Sequence, residues 1–152
     1  MSAVDTVAYV VHLLFAGLWT GAVLFVTVSV LPLAERGDVR PEPLSYLTDR
    51  LTTVSRVSAV ALLLSGGHMA GTGYTVESLF GSGRGHLVLT MVALWLALAA
   101  LVEIGAGRMR RGLGRSKVRT PANDAKPFWQ AGSAVALGLL VVAGLLAGGL
   151  PF

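Results

Sequence analysis

The sequence predicts an all-α integral membrane protein, a four-helix bundle with both termini on the outer side. Three observations carry that expectation. Of 152 residues, 54% are hydrophobic and only 13% charged, which is too apolar for a soluble domain of this size. Four stretches, roughly 6–33, 56–73, 86–104 and 128–150, approach the ~20 mostly apolar residues a helix needs to cross the hydrocarbon layer. The charges lie between them: Arg36, Arg40, Arg50 and Arg56 in one loop, and Arg108, Arg110, Arg111, Arg115, Lys117, Arg119 and Lys126 in another. The positive-inside rule puts the loops 34–56 and 105–127 in the cytoplasm. Both termini and the segment "TGYTVESLFGSGRG", whose basic side chain is Arg84, then face outward. The chain reads as a single multi-pass domain, 1–152, in a cell membrane.

The first helix is expected over 6–33. It lacks a basic leading region and a small-residue cleavage site, so it reads as a retained span and not a removed signal. Pro32, the Glu35–Arg36 pair and Gly37 are its stop signals. The second helix, 44–73, opens with amphipathic turns near the interface and enters the membrane around Arg56. The third, 85–112, runs beyond the membrane into "RMRRGL". "GRSKVRTPAND" reads as a hydrophilic connector, and Pro127 as the first turn of a fourth helix over 127–150. Small residues let helices approach in lipid: Gly17 and Gly21 with Ala16 and Thr20, Gly144 and Gly148, and the run Ser65, Gly66, Gly67 and Gly71.

Cysteine is absent, which removes disulfides, thiolate metal sites, iron–sulfur clusters and cysteine nucleophiles. No Ser/His/Asp arrangement, paired catalytic carboxylates, phosphate-cradling loop or nucleic-acid module is present. The excess positive charge reads first as a topology signal, with contact to anionic headgroups the lesser reading. What remains is histidine. His12 lies about 10 Å into the outer half of the membrane by helical rise, His68 near the outer exit of the second helix, and His86 in the first turn of the third. Ionisable groups within spans point to function, and imidazole suits copper, zinc and haem iron. Met69 adds a soft sulfur, and Tyr74 and Glu77 could orient ligands from outside. The plain alternative is a neutral His12 bonded to a carbonyl or to Ser65, with His68 and His86 wetted at the interface. Trp19 and Trp95 read as packing residues, Tyr9 and Trp129 as interface anchors. Glu103 is expected to pair with Arg56.

"HLLFAGLWTGAVLF", with His12, Trp19 and Gly21, resembles the opening helix of the copper-resistance protein D (CopD) family. "LLLSGG" resembles that family's second-helix ending, and "GSGRGHLVLTMVALWLALAA" its third helix. The resemblance extends roughly as far as Arg110. It implies a copper-handling membrane protein, related in outline to small haem-associated membrane proteins and to HemJ-type protoporphyrinogen oxidases. The lysine often found early in the family's third helix is missing from "HLVLTM", which weighs against an enzyme. The first expectation is therefore copper binding, and in its fuller form transport, by His12, His68, His86 and Met69. The alternatives are a b-type haem held by two of the three histidines, for electron transfer or HemJ-like oxidation, and a structural or assembly subunit without cofactor. The expected partners are the lipid bilayer and a homo-oligomer or a periplasmic or extracellular metal donor, with no nucleic acid.

Overall fold

The computed structural model describes residues 2–149, and these are all-α, without strands. The first helix, α1 (Ala3–Phe25), opens on a capping box. Ser2 Oγ accepts from Asp5 N–H at 3.2 Å and the Asp5 carboxylate accepts from Ser2 N–H at 2.7 Å, satisfying two otherwise unpaired donors. The helix continues through a π-helical turn, Val26–Val30, into α2 (Leu31–Arg36), making one rod from Ala3 to Arg36. Pro32 does not stop it. The proline has no N–H to return to the preceding turn, and the π turn, closed by Leu31 N–H on Val26 O, re-registers the backbone just ahead of it. Gly37 ends the rod instead. Its φ of 77° is left-handed, and Gly37 N–H and Asp38 N–H return to Ala34 O and Leu33 O.

The next helix, α3 (Pro41–Gly73), begins on Pro41 in its first turn. A short α4 (Val76–Gly81), capped by Thr75 and Ser78, occupies part of the expected outer loop. Ser82 caps α5 (Gly83–Leu113) by accepting from Gly85 N–H at 3.0 Å. The last helix, α6 (Arg119–Gly148), begins well before the expected start at Pro127. Pro121 fills its first turn, where a missing N–H costs nothing, and Pro127 lies inside the helix. The hydrophilic connector is thus only residues 114–118. The expected end of this helix at Leu150 lies outside the described residues.

Ala3–Arg36, Gly83–Leu113 and Arg119–Gly148 are long and apolar enough to cross a membrane. Among the described residues Pro41–Gly73 does not join them, because Arg56, His68 and the Ser65–Gly67 run dilute its apolar half. α5 packs most extensively on α6 and α1 on α3, while α3 also meets α5 and α1 meets α6. Trp19, Val23, Leu98, Val102 and Ala136 form the fully buried centre. Leu13, Leu14, Leu64, Leu96 and Val141 point outward, an apolar exterior suited to lipid.

Between α5 and α6, glycine sets helix approach at positions other than the expected ones. A Cβ on Gly105 would overlap the Trp129 indole, and one on Gly112 would overlap Pro121. Gly17, Gly21, Gly144 and Gly148 have nothing within 4 Å of where a Cβ would be, so these GxxxG pairs close no helix contact among the described residues. Trp129, expected as an interface anchor, is fully buried because Gly105 opens a slot for its ring. Tyr9 is exposed as expected, and Trp95 is half-buried with its Nε1–H donating to Ala59 O at 3.2 Å.

Candidate functional site: the seam between α1 and α3

The histidines are positioned mainly by the seam where α1 and α3 run antiparallel. Residues seven apart on a helix share a face, and Asp5 and His12 are so spaced on α1; Ser65 and His68, three apart on α3, share the opposing face. Two polar rungs result. His68 Nε2–H donates to Asp5 Oδ1 at 3.0 Å, with both side chains about one-third exposed. One level deeper, His12 Nδ1 and Ser65 Oγ lie 3.1 Å apart. Ser65 Oγ also donates to Ala61 O at 2.7 Å. A hydroxyl has one proton; since Ala61 O takes it, His12 Nδ1–H donates to Ser65 Oγ and Nε2 keeps its lone pair.

Gly66 makes this arrangement fit. A Cβ there would be 3.0 Å from His12 Cε1 and 3.3 Å from Nδ1, so the imidazole lies directly on the α3 backbone. The antiparallel register carries the seam further: two turns below the His12–Ser65 rung, Trp19 stands at the level of Ser58. Both are fully buried, and neither Trp19 Nε1 nor Ser58 Oγ has a hydrogen-bond partner among the described residues. Trp19 therefore closes the seam beneath His12.

His86 does not join the other two. It is exposed on α5 and donates from Nε2 to Phe80 O of α4 at 2.8 Å. Among the described residues, no group of three or more His, Asp or Glu side chains is arranged to hold a metal ion. The expected three-histidine cluster is corrected accordingly. His86 begins α5 at the point where that helix packs on α4, whereas His12 and His68 face each other's helices. Met69 is half-buried beside His68, about 100° away around the helix. Tyr74 is half-buried and Glu77 exposed, and no hydrogen bond joins either to a histidine.

Asp5 is the functional candidate that the sequence did not single out. Its carboxylate accepts from the Ser2 backbone N–H at 2.7 Å, from the Ser2 hydroxyl at 2.8 Å and from His68 at 3.0 Å. Its seven-residue spacing from His12 was the available signal.

At the opposite end of the helices the expected Arg56–Glu103 pair is present and bidentate, at 2.7 and 3.1 Å. Arg110 reaches Asp49 at 2.9 Å and Thr52 at 2.7 Å, and Lys126 reaches Glu35 at 2.7 Å. These pairs tie α3 to α5 and α2 to α6.

No family model, curated protein or solved structure matches this chain.

Proposed function

We propose that the chain is a four-helix integral membrane protein of the cell membrane, with its histidine end and both termini outside, that captures copper through His12 with His68 as the outer ligand. The observation that carries the reading is the state of the His12 ring. Ser65 occupies Nδ1, fixing tautomer and orientation, and Nε2 is left as a free donor. A hydrogen bond on the far nitrogen is the usual support of a metal-binding histidine. Asp5 supports His68 in the same way, from Nε2, and leaves Nδ1 free. The soft sulfur of Met69 is adjacent, and imidazole with thioether favours copper over hard cations.

The three histidines do not fit a single coordination sphere, so His86 has no part in this reading. Copper is treated as cargo. A site with few ligands exchanges its ion readily, as any station on a transfer path must. Below His12 the seam offers Trp19 and Ser58 and no further nitrogen or sulfur ligand, which favours capture and hand-over at the outer face above translocation. The likeness of "HLLFAGLWTGAVLF" to the CopD family supports the same assignment, and so does the charge asymmetry of the loops for orientation.

The test is an absorption spectrum and metal analysis of detergent-purified protein, repeated on His12→Ala and Ser65→Ala. The expected result is colourless protein that retains copper, lost in His12→Ala and bound about 10–100-fold more weakly in Ser65→Ala. A Soret band that disappears in His12→Ala would replace copper with haem ligation. Neither signal in the wild-type protein would leave His12 as a structural residue and overturn the proposal.

A further inference from the structure

Some of the cations at the end of the molecule away from the histidines are paired and others are not. Arg36, Arg56, Arg110 and Lys126 each have a carboxylate within 3.3 Å. Arg108, Arg111, Arg115 and Lys117 have none among the described residues, and all four line one cleft of about 280 Å³ between the end of α5 and the start of α6. Asp124 is the single acid on its wall.

Arg108 and Arg111, three apart, share one face of α5, and Arg115 follows them in the connector. Like charges at this spacing repel and destabilise a helix. The favourable field at a helix C-terminus offsets part of the cost and fades within the last turn, which does not reach Arg108. The fold nevertheless anchors Arg108 and the wall beside it. Arg108 stacks on the Phe128 ring at 5.5 Å, and Gly112 allows α5 to lie directly on Pro121 of α6. A concave array of cations with no carboxylate partner among the described residues calls for an anion.

Depth identifies the kind of anion. The apolar part of α5 ends near Glu103, and at 1.5 Å per residue Arg108 lies about 8 Å and Arg111 about 12 Å beyond it. The polar layer on each side of a bilayer is about 5–8 Å thick. Arg108 is therefore at the depth of lipid phosphates, with Arg111, Arg115 and Lys117 just above to reach down to a headgroup. We infer that the cleft lined by Arg108, Arg111, Arg115 and Lys117 binds the phosphate headgroup of an anionic glycerolipid.

The inference is tested in a neutral detergent by adding dioleoylphosphatidylglycerol and counting lipids on the intact chain by native mass spectrometry, with the thermal midpoint measured in parallel. One tightly held lipid is expected, together with a raised midpoint. Near a membrane surface each cation contributes about fivefold, so Arg111→Gln/Arg115→Gln should bind roughly 30-fold more weakly. Arg36→Gln/Arg50→Gln removes the same charge at the same end but outside the cleft, and it should bind as the wild type does. Equal loss in both double variants would reduce the effect to diffuse surface charge and overturn the site. Equal binding of dioleoylphosphatidylcholine would remove the requirement for an anionic lipid. The same stabilisation by inorganic phosphate alone would make this a soluble-phosphate site and overturn the lipid assignment.

Discussion

Asp5 shows how one residue can serve two structures. Its carboxylate closes the capping box of α1 and also accepts from His68 across the seam. Replacing it removes an acceptor from the cap and from the seam together. Asp5→Ala should therefore lower the thermal midpoint in detergent by more than Ser2→Ala, which disturbs the cap alone. Thermal unfolding of both variants checks this, and equal midpoints would contradict a role for Asp5 across the seam. His12 and Ser65 depend on a similar local economy, in which one serine proton fixes the protonated nitrogen of the ring. Sequence placed Ser65 among the partners available to His12, but it could not show that Ala61 O takes the serine proton.

Among the elements, the α5–α6 pair is the most extensive contact, and its closeness depends on glycines that no spacing motif marked. Gly105 receives the Trp129 ring. Gly105→Ala forces a methyl group into that indole, and overpacking of this kind costs about 1–3 kcal/mol. The expected outcome is a lowered thermal midpoint with the helix content unchanged, measured by circular dichroism. A Cβ on any of the conspicuous Gly17/Gly21 and Gly144/Gly148 pairs would meet nothing among the described residues, so Gly17→Ala is the matched control and should leave the midpoint nearly unchanged. The two prolines expected near helix ends have the same lesson. Pro32 is carried through by a π turn and Pro127 lies inside α6, because neighbouring packing holds both helices past a local break.

For the whole molecule, unpaired positive charge gathers at one end and the histidine rungs at the other, and the proposed orientation follows from that polarity. The absence of cysteine makes the chain a ready background for a labelling test. In intact cells, Glu77→Cys should react with a membrane-impermeant maleimide, while Lys117→Cys should react only after the membrane is opened. The reverse pattern would invert the orientation, and labelling of both in intact cells would break the reading of α5 as a span that separates them.

Composition and patterning determined the all-α class, the long apolar helices and the segregation of charge. These follow from properties summed over twenty or more residues, so single local exceptions do not disturb them. The Arg56–Glu103 pair was legible for a related reason: two isolated charges at the same depth of adjacent helices have few other partners. Tertiary structure decided which faces meet. It matched Asp5 with His68 and His12 with Ser65, sent His86 to Phe80 instead, and buried Trp129 in the slot left by Gly105. Those outcomes depend on the rotation of each helix about its axis, which is fixed by shape at the contact, and in a chain apolar on nearly every face the hydrophobic pattern carries little record of that rotation.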